Sequence, residues 1–479
     1  MDNNKTVSVE VKDFEKFFDD LKVPLALDMN YQRPYVWGEE KVSQLLDDLK
    51  YYQDQTGNKP HYYMGNVLLH MDTGRKSIFV IDGQQRITTL ATIYHIRHNK
   101  LPEKFGFEFN SMISVKNIRN TLNFCKKSGV PDIDFKNIVF TVITVNEEDL
   151  AFTFFDTQNT RGVPLAATDL LKAYHLRAID KKEKRSEIFQ TYSARRWESI
   201  QNVENGNDFV QGLFTLYLWR ARNWKGSQVK VRENHEDILK EFQKNTVEEN
   251  EVQEIPLYAN SSNQWARSIV LTPENSYRIN LNPVTLEGNA SNLPFAIRQP
   301  VHEGIGFFLF AEKYASILMD LKAKPIDPKS ERGRFHILVQ GVIEKSGLSG
   351  YLKNLFWLAV LMYVDQFGDR GLTRFAETLD YSLGALRIEK ASIVKETPVK
   401  YLRDRDVNLL DIIAGAYRPE EVIDFLFIDE HAKNVYARKD ISELIKIGVR
   451  ERYANAVSAY YGHRLDWSNR HNWKRGNEK

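Results

Sequence analysis

The feature that most constrains this chain is a change of hydrophobic period at one glycine. The apolar run Ile78-Phe79-Val80-Ile81 leads without a spacer into Asp82-Gly83-Gln84-Gln85-Arg86. Over residues 87–96 the apolar positions then recur with helical spacing. Strand, glycine turn and helix are the expected local order. A second apolar run, residues 66–70, precedes it across Asp72-Thr73-Gly74, so the two runs read as a β-hairpin.

That order has a chemical consequence. The first N–H groups of a helix lack intrahelical partners and sit at the positive end of its dipole, so a helix start attracts phosphate. Gly83 lets the backbone turn and lets a ligand approach closely. Gln84 and Gln85 offer amide donors, and Arg86 offers a planar fork that matches phosphate oxygens. Asp82 does not attract an anion. Its available roles are to hold a magnesium ion that bridges phosphates, to position Arg86, or to orient water. The same five residues also suit a plain turn with an Asp–Arg pair.

Two further clusters carry polar groups in constrained backbone. In Asn30-Tyr31-Gln32-Arg33-Pro34-Tyr35-Val36-Trp37 the proline keeps Arg33 extended, and donors alternate with aromatic rings. A base or ribose on a ring with Arg33 near phosphate is one use; a hydrophobic anchor ahead of a helix at 39–52 is the other. In Asn159-Thr160-Arg161-Gly162-Val163-Pro164-Leu165 the turn residues leave Arg161 able to meet an anion. Thr168 is expected to cap the next helix, on which Asp169 and Lys172 lie three apart and can pair.

Elsewhere residues 7–11 and 138–145 read as strands and 147–156 as a helix. A charged stretch, Asp180-Lys181-Lys182-Glu183-Lys184-Arg185, reads as a boundary. Beyond it helical periods dominate, as in 209–221 and 352–367. Asp365, Asp369 and Arg370 are expected to cap a buried helix end. The expected organisation is an α/β N-terminal domain (1–180), a helical connector (181–243), an irregular insertion with short strands (244–300), and a helical C-terminal domain with a basic tail (301–479).

Net charge is +2, so a nucleic-acid surface has to be a local patch. One cysteine, Cys125, excludes a disulfide framework and a cysteine-based zinc site. The N-terminus lacks an apolar signal core, and the longest apolar run, near 355–364, is too short to span a bilayer. A cytoplasmic protein without a membrane partner is expected. From His431 to Lys479 there are eleven Lys and Arg against five Asp and Glu, a net of +6, with Trp467 and Trp473 among Arg464, Arg470, Lys474 and Arg475. Those four cations are candidate DNA contacts; a solvated terminus is the alternative.

Together the three clusters resemble the N-terminal domain of the GmrSD-type restriction family, which has a ParB/sulfiredoxin-like nucleotidase fold. The likeness rests on Tyr31 through Trp37, on Val80 through Leu90, and on Phe155–Asn159, Gly162, Leu165, Asp169 and Lys172, in matching order. It implies NTP binding, often hydrolysis, and a role in restricting foreign DNA. Asp82, Gln84, Gln85 and Arg86 would then carry the chemistry. Tyr31, Gln32, Arg33, Gly83, Thr88, Asn159, Arg161, Gly162 and Lys172 would contact the nucleotide, with magnesium at Asp82. Family members often carry a C-terminal HNH nuclease, but none of His336, His431, His463 and His471 begins a His-x-x-Pro segment. The cutting step is therefore expected in a partner nuclease. Rival readings are a non-hydrolysing regulatory subunit, and a nuclease with an unrecognised C-terminal site. A homo-oligomer is compatible with each.

Overall fold

The computed structural model of the protein describes residues 7–28, 34–56, 59–72, 76–109, 111–147, 150–151, 153–155, 166–179, 186–201, 209–248, 254–258, 266–272, 276–281, 285–287, 290–345, 347–462 and 466–473. The chain forms two compact units, Met1–Arg177 with Gln190–Asn207, and Ala178–Phe189 with Asp208–Lys479.

The first unit is α/β, built on a mixed five-stranded sheet. Its strands are β1 (Val7–Asp13), β2 (Leu25–Leu27), β3 (Tyr62–Asp72), β4 (Ser77–Asp82) and β5 (Ile138–Val145), in the order β1-β5-β3-β4-β2. β3 and β4 form the expected antiparallel hairpin, with His70 opposite Phe79; Thr73-Gly74-Arg75 lies outside the described residues. β3 pairs with β5 and β4 with β2 in parallel. Ile78, Phe79, Val80 and Ile81 are all buried, as a continuous apolar run inside a doubly covered sheet requires.

Helices α1 (Phe14–Asp19), α2 (Glu39–Asp54), α3 (Gln84–His98) and α4 (Met112–Ser128) complete the core with Phe14, Phe17, Leu45, Leu49, Val67, Val80 and Phe140. The stripe Val42, Leu45, Leu46 and Leu49 is buried along α2, as its spacing predicts. Two more helices follow, α5 (Ala167–Ala178) and α6 (Ser186–Gln201). Thr168 is not a cap: it lies inside the first turn of α5, and its side chain is buried.

The second unit is mainly helical. Residues 209–223 form one helical run whose middle, Leu213–Leu218, is π-helical. The insertion read as irregular with short strands contains a four-stranded antiparallel sheet, β6 (Glu254–Pro256), β7 (Ala266–Leu271), β8 (Tyr277–Leu281) and β9 (Thr285–Glu287). Its strands are only three to six residues long, too short to show a period. The long helices of the second unit include α7 (Ile305–Lys322), α8 (Gly350–Phe367), α9 (Leu372–Glu389) and α10 (Gly448–Tyr461). Asp365 does not cap a helix end. It is a buried node that accepts from Lys313 at 2.5 Å, the Tyr314 hydroxyl at 3.1 Å and the Ile297 amide at 2.9 Å. Among the described residues no helix is long and apolar enough to cross a membrane.

Candidate functional site

β4 ends at Asp82 and α3 begins at Gln84, so one residue makes the turn. That residue, Gly83, has φ +101°, where an L side chain is strained. Space also demands glycine: a Cβ here would lie 3.0 Å from Val67 Cγ2 and 3.4 Å from Val67 Cα. The turn is thus pressed against β3. Gly83, as N-cap, has no side chain to cap α3, and the first intrahelical bond runs from the Ile87 amide to the Gly83 carbonyl at 3.0 Å. The amides ahead of Ile87 have no acceptor within the helix, which leaves a positive helix end on a rigid strand.

Arg86 is held in place rather than extended into water. Its Nη2 donates to the Asn66 carbonyl at 2.6 Å and to Asp82 Oδ2 at 3.1 Å. Both side chains of the Asp82–Arg86 pair keep about a quarter of their surface exposed, 22% and 27%. Gly65, also at positive φ, makes room for this guanidinium: a Cβ there would lie 2.9 Å from Arg86 Nη1. Asn66 in turn accepts from the half-exposed Tyr63 hydroxyl at 2.6 Å. No sequence pattern marks Gly65 or Asn66, because what they supply is empty space and a backbone carbonyl.

Gln85 has a different role from the one its amide suggests. Its side chain is buried; Oε1 accepts from the Val36 amide and Nε2 donates to the Pro34 carbonyl, both at 2.9 Å. Gln84 is also buried. The Gln85 amide is therefore engaged by the chain's own backbone rather than offered to an anion. Gln85 ties the Pro34–Val36 backbone to the turn. Tyr35 deepens that tie: its amide donates to Ser114 Oγ at 2.9 Å, its carbonyl accepts from Asn117 Nδ2 at 2.9 Å, and its hydroxyl lies 2.8 Å from Thr89 Oγ1. The second sequence cluster thus reaches the first through Gln85. Tyr31, Gln32 and Arg33 lie outside the described residues.

The third cluster is represented by Asp169 and Lys172 on α5. Asn159, Arg161 and Gly162 lie outside the described residues. Lys172 is buried, and its Nζ lies 3.4 Å from Glu198 Oε1 on α6. Burial pushes its ammonium below the ordinary lysine value, against the opposing pull of Glu198, Asp169 and Asp28. Asp28, one of those opposing charges, directly follows β2. Thr88 Oγ1 and Thr168 Oγ1 are buried without a hydrogen-bond partner, the condition in which a water or ligand atom is commonly found.

A magnesium ion held wholly by protein does not fit this site. Among the described residues no group of three His, Cys, Asp or Glu could hold a metal. One carboxylate, Asp82, is compatible with magnesium that arrives on phosphates and keeps most of its waters.

The C-terminal candidates need correction. Arg470 is not a surface cation. Its side chain is 3% exposed, its Nη2 donates to Asp380 Oδ2 at 2.7 Å and to the Tyr453 hydroxyl at 2.8 Å, and its Nη1 donates to the Tyr436 hydroxyl. Trp467 packs on the same guanidinium, 5.3 Å from its ring centre, so an aromatic partner that suggests nucleic acid in sequence is here part of a core. Arg464, Lys474 and Arg475 lie outside the described residues.

Residues 189–443, more than half the chain, match the model of a family of unknown function, DUF7834. Residues 14–176 match the model of the GmrSD restriction endonuclease N-terminal domain, which spans the turn, the Tyr35 segment and α5 almost to its end. No curated protein matches the chain. The chain belongs to the DUF7834 family of unknown function, and its residues 14–176 are an N-terminal domain of the GmrSD restriction endonuclease type.

Proposed function

We propose that the chain is an NTP-binding and NTP-hydrolysing component of a restriction system that acts on foreign DNA, with a partner nuclease making the cut. The observation that carries this reading is the Gly83 turn. A helix start with glycine as its N-cap, an arginine held beside it and a carboxylate are set on one rigid strand end. Such a site suits a triphosphate. The α3 amides would take phosphate oxygens, and Arg86 would neutralise charge that builds up as the terminal phosphate leaves. When bound, magnesium would offset phosphate charge, with Asp82 as its one protein ligand. The orphaned Thr88 hydroxyl, one turn into α3, is a further polar group near the site. Tyr31, Gln32, Arg33, Asn159, Arg161 and Gly162 are proposed nucleotide contacts because in sequence they stand just ahead of Pro34, which Gln85 holds, and just ahead of α5.

A second reading follows from the same geometry. Asp82 is engaged by Arg86, and Gln84 and Gln85 are buried, so no side chain of the turn is free to orient a water. On that reading the chain binds nucleotide as a regulatory ligand without turnover. The two separate in one experiment on the full chain. ATP, GTP, CTP and UTP are titrated with magnesium by calorimetry, and phosphate release is followed with and without phage DNA. Binding with release supports the first reading, and binding without release the second. Failure of every NTP to bind a folded protein, or undiminished binding by Arg86→Ala, would overturn both.

A further inference from the structure

The chain is nearly neutral overall, yet one helix concentrates unpaired positive charge. The seventeen residues of α4 contain Lys116, Arg119, Lys126 and Lys127 and no acidic residue. All four cations are exposed. Among the described residues none has a carboxylate within ion-pair distance, and none donates a hydrogen bond to the protein. At about 100° per residue, the four cations fall within a sector of about 120° that also holds the exposed amides Asn120 and Asn123. From Lys116 to Lys127 the stripe runs about 16 Å along the helix axis.

The opposite side of α4 is fixed. Thr121 and Cys125 are buried, Ser114 accepts from the Tyr35 amide at 2.9 Å, and Asn117 donates to the Tyr35 carbonyl at 2.9 Å. The stripe is therefore displayed on a packed element rather than on a fraying tail. The neighbouring α2 carries mostly acidic exposed charge, so the positive character is local to α4.

Solubility alone does not call for cations of one sign on one face; mixed signs serve it as well and support the helix through i,i+4 pairs. Duplex DNA presents about one negative charge per 1.7 Å of axis, a density that four aligned cations and two amides can follow without reading sequence. We infer that the exposed face of α4, Lys116 through Lys127, docks on the phosphate backbone of duplex DNA. This gives the first unit its own DNA contact in place of the one Arg470 does not provide. It rests on the proposed action on DNA, but not on nucleotide binding at the Gly83 turn.

The test is fluorescence anisotropy of the full chain with a labelled duplex of about thirty base pairs, from 50 to 300 mM salt. The variant Lys116→Ala/Arg119→Ala/Lys126→Ala/Lys127→Ala should bind at least about tenfold more weakly at 100 mM salt. Its log–log salt slope should flatten by about 0.9 for each phosphate that the variant no longer neutralises. The half-variants Lys116→Ala/Arg119→Ala and Lys126→Ala/Lys127→Ala should each flatten it by about half as much. A matched variant of exposed second-unit cations, Lys324→Ala/Lys439→Ala/Lys446→Ala/Arg452→Ala, should leave the slope near wild type. Melting curves and NTP titrations run in parallel; loss of DNA binding with NTP binding intact, or with none in either protein, supports the surface equally. Wild-type affinity in the α4 variant, an equal loss in the matched variant, or no duplex binding by the wild-type chain at 50 mM salt would overturn it.

Discussion

Arg470 donates to Asp380 at 2.7 Å across ninety residues of chain, and the two side chains are 3% and 0% exposed. Removing one member of a buried pair leaves the other charged and unpaired, which costs about 3–5 kcal/mol. Arg470→Ala should therefore destabilise the second unit by that order in chemical denaturation. Gly384→Ala should do so independently, since its Cβ would overlap the Tyr453 hydroxyl and lie 2.8 Å from Arg470 Nη1. A loss below about 1 kcal/mol for Arg470→Ala would return the tail to a surface role.

At the Gly83 turn the expected effects are on chemistry more than on folding. Arg86→Ala removes the guanidinium that bridges Asn66 and Asp82. Where hydrolysis occurs, it should fall at least about tenfold, because a single transition-state donor is worth about 2.7–4 kcal/mol. Asp82→Asn should lower turnover more than binding. Arg86→Lys keeps the charge without the planar fork and should rescue only part. Phosphate-release rates at saturating NTP, with melting curves alongside, check all three.

Gln85 offers a different outcome. Gln85→Ala unpairs the Pro34 carbonyl and the Val36 amide and should cost about 1–3 kcal/mol. Hydrogen exchange of the Val36 amide should accelerate in that variant, while α4 stays protected. Bound nucleotide should slow exchange over residues 31–37 and 159–162 together with 82–90. Protection confined to 82–90 would leave the flanking segments with structural roles only.

His302 supplies a pH dependence. It is buried, its Nε2 lies 3.0 Å from the Tyr258 hydroxyl, and burial lowers its pKa from the ordinary histidine value. The folded state then resists protonation more than the unfolded chain does. The contribution is fully present above about pH 6.5, the unfolded value, and is lost as pH falls below it. Urea midpoints measured from pH 7.5 to 5 should drop more steeply for wild type than for His302→Gln. Parallel curves would show that His302 does not contribute to the acid limb.

What sequence alone determined is local. The switch from an apolar run to helical spacing at Gly83 set β4, the turn and α3, because period and positive φ are demands of neighbouring residues on one another. The same holds for the buried stripe of α2 and for β5, whose β-branched run matches the strand residue for residue. The match of the turn, the Tyr35 segment and α5 to one domain type was legible for the same reason, since order and spacing survive in one dimension. Tertiary structure decided what each polar group is for. Gln85 became a clasp because Pro34 and Val36 return to it from fifty residues away, and Lys172 met Glu198 because α6 folds back beside α5. Arg470, in sequence one cation of a basic tail, became a core residue because its charge pairs with that of Asp380, buried in α9. A hydrogen bond or ion pair between distant residues depends on where the chain comes back, and hydrophobic burial across the whole unit settles that.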